Sequence, residues 1–213
     1  MIKALIFDLD GTLLNTLDDL SASVNFALGE MNYPKRSIDE VRRFVGNGIK
    51  KLIERAVPEN TSNEKTEKAL EIFKAHYKEH SLDKTKPYEG VMKMLAEAKR
   101  RGYKVAIVSN KADFAVQGIA EHFFRGYADI ALGERAEMAK KPAPDMVYSV
   151  MNHLGVTAGE CIFVGDSEVD VETAKNAKLP CVCVLWGFRD ESALRASGGE
   201  RFITDPMQIF NFV

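Results

Sequence analysis

The sequence predicts a doubly wound parallel α/β sheet into which a small helical bundle is inserted. Short apolar runs alternate with segments of helical periodicity over residues 87–213, and this alternation is typical of a parallel sheet with helices on both faces. Between the first apolar run, residues 4–7, and residue 87, three helical segments follow one another without a strand. This helical stretch therefore forms a unit of its own.

The first strand, residues 4–7, is a short apolar run closed by Gly11, as expected of a strand covered on both faces. Pro34 and a polar cluster at 58–63 separate three predicted helices, which span residues 17–31, 38–57 and 64–80. Later helices are expected to end at residue 100 and to span 113–124, 144–153 and 169–177. Later strands are expected at 104–109, 129–132, 160–165 and 180–185. These boundaries assign residues 1–14 and 87–213 to an α/β core domain and residues 15–86 to an inserted helical domain.

Composition argues against several classes of partner. Of the 213 residues, 29 are Lys or Arg and 31 are Asp or Glu, so the net charge of -2 gives no overall attraction to nucleic acid or anionic membranes. No stretch approaches the roughly 20 apolar residues of a membrane span, and the first residues lack the apolar centre of a signal peptide. We therefore expect a cytoplasmic protein with no nucleic-acid or membrane partner, while a monomer and a homodimer both stay open.

Two carboxylates, Asp8 and Asp10, directly follow the first apolar run. Because side chains alternate along a strand, both point to one side while Leu9 turns away. Two carboxylates that face one small volume repel each other unless a cation or a shared proton relieves the repulsion. The pair therefore predicts a metal site or an acid/base role, although Asp-Gly is also an ordinary turn sequence.

Two further segments suit a phosphate group. Ser109 and Asn110 follow an apolar strand where the next helix begins, and a hydroxyl with backbone N–H groups at such a corner binds oxyanions. Lys141 precedes Pro142, which restricts the backbone and fixes where the ammonium points. Each segment also has a plainer interpretation, a turn or helix cap for Ser109 and a solvated side chain for Lys141.

A second pair of acids, Asp166 and Asp170, follows the apolar run that ends at Gly165. Asp170 is also suited to complement a helix dipole, because it stands in the first turn of a predicted helix. In parallel sheets, ligands bind beyond the carboxyl ends of the strands, which is where these motifs fall. Four acids at one sheet edge form the hard oxygen site that Mg²⁺ prefers, with positions left for water and a substrate phosphate.

Four motifs together resemble, in order and spacing, the signature motifs of a known family. They are Asp8-Leu-Asp10-Gly11-Thr12, a Ser109 after an apolar strand, Lys141 before Pro142, and Gly165-Asp166 followed by Asp170. The family is the haloacid dehalogenase superfamily, whose core is a Rossmann-like sheet. The helical insertion resembles the small cap of its phosphoglycolate phosphatase group, and residues 44–48 and 186–188 strengthen that resemblance.

The resemblance implies a phosphoric monoester hydrolase with a role for each motif residue. Asp8 would be the nucleophile that forms an aspartyl-phosphate, and Asp10 the acid/base that serves first the leaving group and then water. Mg²⁺ would be held by Asp8, Asp166 and the Asp10 backbone carbonyl, and by Asp170 either directly or through water. The phosphoryl oxygens would contact Ser109, Asn110 and Gly11, with Lys141 offsetting their charge. Thr12 would support the site by orienting the first loop and Asp10.

The inserted domain, which the resemblance identifies as a cap, is expected to select the substrate through Gly46, Asn47, Gly48 and Arg43. We expect a small phosphomonoester, 2-phosphoglycolate first, with pyrophosphate, a nucleotide monophosphate or a sugar phosphate as alternatives. Asp10 argues against a dehalogenase, which has no acid there, and the cap lysines do not stand in a phosphonatase context. A β-phosphoglucomutase-like mutase stays open, although its histidine after the first motif is absent. A non-catalytic phosphate-binding protein also stays open, although no motif carboxylate is missing.

Overall fold

The computed structural model describes residues 1–213, which divide into two compact units. One unit joins Met1–Leu14 to Pro87–Val213, and the other is Asn15–Lys86. The strands, numbered in chain order, are β1 (Ala4–Phe7), β2 (Leu14–Asn15), β3 (Lys86–Pro87), β4 (Lys104–Ala112), β5 (Ile130–Glu134), β6 (Cys161–Gly165), β7 (Cys181–Val184) and β8 (Phe202–Ile203).

The helices are α1 (Leu17–Glu30), α2 (Ile38–Phe44), α3 (Ile49–Ala56), α4 (Asn63–His80), α5 (Val91–Arg100), α6 (Asp113–Phe123), α7 (Asp145–Leu154), α8 (Glu168–Asn176) and α9 (Glu191–Ala196). Two short 3₁₀ helices span Ala158–Glu160 and Pro206–Asn211. None of these helices combines the length and the apolar character that crossing a membrane requires.

Six strands form one parallel sheet in the order β5-β4-β1-β6-β7-β8, which confirms the predicted fold class. β1 lies between β4 and β6, and its Phe7 is in register with Ile107 on one side and Val164 on the other. The strand order changes direction here, because β4 leads to one edge of the sheet and β6 to the other. Open α/β sheets bind ligands at such a switch point, beyond the carboxyl ends of the strands.

Helices cover both faces of the sheet because its central strand is apolar on both sides. Leu5 and Phe7 pack with residues of α5 and α6, whereas Ala4 and Ile6 pack with residues of α7 and α8. All four side chains are at most 1% exposed. Burial of a Leu, Ile or Phe side chain stabilises a fold by about 1.5–3 kcal/mol. The strand is therefore firmly fixed, and so is the backbone that continues from it.

The second unit is a bundle of α1 to α4 with a hydrophobic core of its own. Val24, Ile53 and Phe73, from three of its helices, are completely buried in that core. α2 begins at a capping box, in which the Ser37 hydroxyl accepts from the Glu40 N–H and the Glu40 carboxylate accepts from the Ser37 N–H. Such reciprocal bonds satisfy N–H groups that the first turn of a helix leaves without partners.

The structure differs from the sequence-based expectation chiefly at three places. The helix expected over 38–57 is two helices, because Gly46 (φ 133°) and Gly48 (φ 84°) adopt backbone conformations that no helix contains. The strand expected over 104–109 continues to Ala112. The sequence pattern also gives no signal for α9 and β8, because a helix of 6 residues and a strand of 2 are too short for periodicity.

Candidate active site

The first loop of the site follows β1 directly. Asp8 continues the strand pairing, since its N–H donates to the Val164 carbonyl at 2.9 Å. The loop then turns at Gly11 (φ 89°), whose N–H donates to the Leu14 carbonyl at 2.9 Å. A Cβ at Gly11 would lie 2.3 Å from Oδ2 of Asp166. Glycine is therefore required here, both for the backbone conformation and for the close approach to that carboxylate.

Three buried carboxylates meet at this end of the sheet. Asp8 follows β1, Asp166 follows β6, and Asp170 lies in the first turn of α8. One oxygen from each of the three lies within 4.8 Å of the others, a spacing at which they could hold a metal ion. Asp10, the fourth predicted acid, does not contribute its side chain to this cluster. Its carboxylate pairs instead with Lys111.

Lys141 joins two of the clustered acids. Its Nζ lies 2.8 Å from Oδ1 of Asp8 and 2.7 Å from Oδ1 of Asp170, and its side chain is 3% exposed. Burial alone would lower the pKa of Lys141, but the charges of Asp170 and Asp8 outweigh burial and raise the pKa above its ordinary value. Asn110 fixes the lysine backbone with two bonds, from Lys141 N–H to Oδ1 at 2.8 Å and from Nδ2 to the Lys141 carbonyl at 2.9 Å. The ammonium is therefore charged and held in place.

The clustered carboxylates carry more negative charge than the protein balances. Burial, followed by the charge of Asp170, raises the pKa of Asp8 well above its ordinary value, against the lowering effect of Lys141. Burial and the same Asp170 charge raise the pKa of Asp166 to about 7, although hydrogen bonds from the Phe188 N–H and the Thr12 hydroxyl oppose the rise. A divalent cation would relieve this repulsion.

Asp170 has hydrogen-bond partners on both carboxylate oxygens. Its Oδ2 accepts from the Ser167 hydroxyl at 2.6 Å and from the backbone N–H groups of Asp166 and Ser167 at 3.2 and 3.1 Å. Its Oδ1 accepts from Lys141. Asp170 therefore links the loop that carries Asp166 to the lysine that contacts Asp8.

The end of β4 is irregular, and three polar side chains lie within its irregular part. Val108 pairs with Leu132 and Ala112 pairs with Glu134, so four steps along β4 match two along β5. A bulge of this kind re-aims the side chains within it. Ser109, Asn110 and Lys111, which lie in the bulge, are all buried.

The predicted cap residues lie in the second unit. Arg43 is in the last turn of α2, and Gly46, Asn47 and Gly48 form the loop between α2 and α3. Arg55 holds this loop, because its guanidinium donates to Oδ1 of Asn47 at 2.7 Å and to the Phe44 carbonyl at 2.6 Å. The loop therefore has a defined geometry, which the two glycines and one arginine set.

A comparison with known protein families gives a match that includes the residues of the site. The family model described as haloacid dehalogenase-like hydrolase matches residues 5–184, which include all four motifs. The chain belongs to this family. Its hydrolase class confirms the prediction of an enzyme over that of a non-catalytic binding protein.

Several relatives of this hydrolase are named phosphoglycolate phosphatase. A phosphoglycolate phosphatase of Nitrosococcus oceani is 31% identical over 99% of this chain and 96% of its own, and one of Aquifex aeolicus is 30% identical over 88% and 86%. A solved structure from Lactobacillus delbrueckii subsp. bulgaricus, assigned as a phosphoglycolate phosphatase, is 32% identical, with a TM-score of 0.93 over 97% of this chain and 96% of that one. The hydrolase is thus a phosphatase that resembles the phosphoglycolate phosphatases over its whole length, as its motifs predict.

Several residues of the hydrolase contact partners other than those the motifs suggest. The Thr12 hydroxyl donates to Oδ1 of Asp166 at 3.0 Å, a partner that the sequence did not indicate; that Thr12 orients the first loop and Asp10 stays a prediction. The side chain of Asn110 forms hydrogen bonds with the backbone of Lys141, and the N–H of Gly11 donates to the Leu14 carbonyl within its own loop. Sequence reasoning missed Lys111. The signal was present, because a lysine inside a buried strand end is rare unless an acid pairs with it.

Proposed function

We propose that this phosphatase hydrolyses 2-phosphoglycolate with the help of Mg²⁺ and through a phosphoryl group carried on Asp8. The observation that carries the proposal is the buried cluster of Asp8, Asp166 and Asp170, with the Lys141 ammonium in contact with the first and the third. In the proposal, residues 1–14 and 87–213 form the catalytic domain and residues 15–86 form a cap that selects the substrate. We place the enzyme in the cytoplasm.

The residues of the cluster fit Mg²⁺. They offer carboxylate oxygens only, which are the ligands that a hard divalent cation prefers. Asp8, Asp166 and the Asp10 backbone carbonyl would hold the ion directly. Asp170 would act through a water molecule, because its Oδ2 already accepts three hydrogen bonds and its Oδ1 is paired with the Lys141 ammonium. When bound, Mg²⁺ would supply positive charge beside the phosphoryl oxygens.

Asp8 would attack phosphorus through Oδ2. Its Oδ1 already accepts from the Leu9 N–H at 2.7 Å and lies 2.8 Å from Lys141 Nζ. As the bond from Oδ2 to phosphorus forms, the bond from phosphorus to the leaving alkoxide breaks, and the Asp10 carboxyl group donates its proton to that alkoxide. The Asp10 carboxylate then takes a proton from a water molecule that attacks the same phosphorus. Inorganic phosphate leaves, and the Asp8 carboxylate is restored.

Ser109 and Lys141 would hold the phosphoryl group in line for both displacements. The Ser109 Oγ accepts from the Lys111 N–H at 3.2 Å, so its own hydroxyl proton can be donated to a phosphoryl oxygen. Lys141 has three N–H donors, of which two point to Asp8 and Asp170. The third is suited to a phosphoryl oxygen. Positioning and charge neutralisation of this kind supply most of the catalysis in phosphoryl transfer.

The choice of 2-phosphoglycolate rests on the names of the relatives and on the cap. The relatives from Aquifex aeolicus and Nitrosococcus oceani are phosphoglycolate phosphatases. In the proposal, Arg43 and the loop of Gly46, Asn47 and Gly48 recognise the part of the ester that is not phosphate. Pyrophosphate, nucleotide monophosphates and sugar phosphates are the competing substrates that an assay must include.

The proposal is tested by release of inorganic phosphate from a panel of these esters, with Mg²⁺ and with a chelator. We expect chelator-sensitive turnover that is highest for 2-phosphoglycolate and absent in Asp8→Asn. Asp145→Asn is the matched control, because Asp145 undergoes the same chemical change at an exposed position, in the first turn of α7. Turnover that survives in Asp8→Asn, or that ignores the chelator, would contradict the mechanism. A clear preference for another ester would replace the substrate and leave the mechanism standing.

A further inference from the structure

We propose that Lys111 is a positioning residue, which holds the Asp10 carboxylate ready to take a proton from the attacking water in the second displacement. The inference rests on the proposed function, in which Asp10 performs that step. The bonds balance as follows: the water oxygen bonds to phosphorus, its proton passes to Asp10, and the bond from phosphorus to Asp8 breaks. Lys111 itself touches neither water nor phosphorus in this proposal.

The contact between the two side chains is bidentate and shielded. Nζ of Lys111 lies 3.1 Å from Oδ1 and 3.2 Å from Oδ2 of Asp10. The lysine side chain is 5% exposed and that of Asp10 is 18% exposed. One ammonium that reaches both oxygens restricts rotation of the carboxylate. Because little water surrounds the pair, the attraction is screened less than it is between surface charges.

The fold fixes Lys111 at this position. The residue lies in the bulge of β4, which directs it to the end of the sheet where Asp10 follows β1. Gly133 of β5 packs against the bulge so closely that a Cβ there would lie 2.5 Å from the Lys111 carbonyl oxygen and 2.5 Å from Cα of Asp113. The backbone that carries the ammonium therefore has little freedom to move.

The two buried lysines of the site contact different acids. Lys141 contacts Asp8 and Asp170, whereas Lys111 contacts Asp10. Asp10 is a carboxylate once it has protonated the leaving group, and the Lys111 ammonium then contacts both of its oxygens. The pair is therefore suited to the second displacement, in which Asp10 must be a carboxylate and must keep its direction.

The test is the hydrolysis of p-nitrophenyl phosphate by Lys111→Met. The nitrophenolate leaving group of this ester departs without a proton. For this ester, kcat/KM therefore reports the transfer of the phosphoryl group to Asp8, whereas kcat also reports the hydrolysis of the phosphorylated enzyme. We expect kcat to fall roughly 10- to 100-fold, because a positioned base contributes at least that much. We expect kcat/KM to stay within about threefold and a burst of nitrophenolate, close to one per active site, to appear.

Two variants complete the design. Lys140→Met is the matched control, because Lys140 is 43% exposed and its Nζ lies 3.6 Å from a carboxylate oxygen of Glu134 rather than being paired with Asp10. Asp10→Asn/Lys111→Met removes both partners and leaves no unpaired buried charge, so it serves even if Lys111→Met alone does not fold. Relative to Asp10→Asn alone, the double variant should change kcat less than threefold, because Lys111 acts through Asp10.

The outcomes separate the inference from the proposed function. If kcat and kcat/KM fall together in Lys111→Met without a burst, or if kcat does not change, the role assigned to Lys111 is overturned. A further large loss in the double variant would overturn it as well. If the wild-type enzyme shows no chelator-sensitive release from p-nitrophenyl phosphate, the proposed function fails and the inference fails with it.

Discussion

Asp166 makes the stability of the metal-free protein depend on pH. Burial and the charge of Asp170 raise the pKa of Asp166 from the ordinary 3.8 to about 7. The folded protein therefore binds this proton more tightly than the unfolded chain does. The group stabilises the fold fully below a pH of about 4, and that stabilisation is lost as the pH rises through about 7. We expect the metal-free wild type to lose more stability over this range than Asp166→Asn, which cannot titrate at this position.

The size of the effect follows from the pKa. A rise from 3.8 to about 7, at about 1.36 kcal/mol per pH unit, corresponds to roughly 4 kcal/mol. For a protein of this length, 1 kcal/mol moves the midpoint of thermal unfolding by about 2–4 °C. The wild type should therefore lose on the order of 10 °C more than the variant. Mg²⁺ at about 100 times its Kd should restore about 2.7 kcal/mol to the wild type at high pH.

The assay is thermal unfolding from a pH of about 4 to about 8, for both proteins, with chelator and with Mg²⁺. Because protons compete with the cation for the same oxygens, the shift that Mg²⁺ causes in the wild type should grow as the pH rises. It should be much smaller in Asp166→Asn at every pH. Parallel pH profiles of the two proteins in chelator would refute the argument, and so would a Mg²⁺ shift that does not depend on pH.

Three further predictions concern individual contacts. Gly11→Ala should lower kcat/KM by roughly 100-fold, because its Cβ would lie 2.3 Å from Oδ2 of Asp166 and must displace that carboxylate; activity within threefold of the wild type would show that the loop adapts. Asn110→Ala should cost about 1–3 kcal/mol in urea unfolding, since it leaves the buried N–H and carbonyl of Lys141 unpaired, and an unchanged midpoint would contradict this. Ser37→Ala should cost about 1 kcal/mol in thermal unfolding through the lost cap of α2 while phosphate release stays the same, and a loss of activity would be inconsistent with a capping role.

The proximity of Asp8 and Asp166 could be predicted from the sequence, because the geometry of parallel sheets is regular. Each acid directly follows an apolar run, and parallel strands end at one edge, so adjacency of the runs suffices to bring the acids together. The structure places β1 beside β6. The helical insertion was equally accessible, since three successive helical segments cannot belong to an alternating α/β pattern.

Other features depend on contacts that no local pattern contains. Lys111 reaches Asp10 because β4 and β5 change register between Val108 and Ala112, and that change is a property of the pair of strands. The Thr12 hydroxyl contacts Asp166, a residue 154 positions later, because two loops fold over each other at the sheet edge. The break between α2 and α3, in contrast, does have a local signal in the sequence, because Gly46 and Gly48 stand at that position.

The phosphoryl group that we propose Asp8 carries can be trapped on the enzyme. Enzyme is mixed with Mg²⁺ and radiolabelled p-nitrophenyl phosphate, whose leaving group needs no proton from Asp10. The reaction is quenched in acid within one turnover, and the protein is digested and mapped by mass spectrometry. We predict label on the peptide that contains Asp8, more of it in Asp10→Asn, where hydrolysis of the phosphorylated enzyme is slow, and none in Asp8→Asn. Label on another residue, or full turnover in Asp10→Asn and wild type with no label trapped in either, would contradict the account.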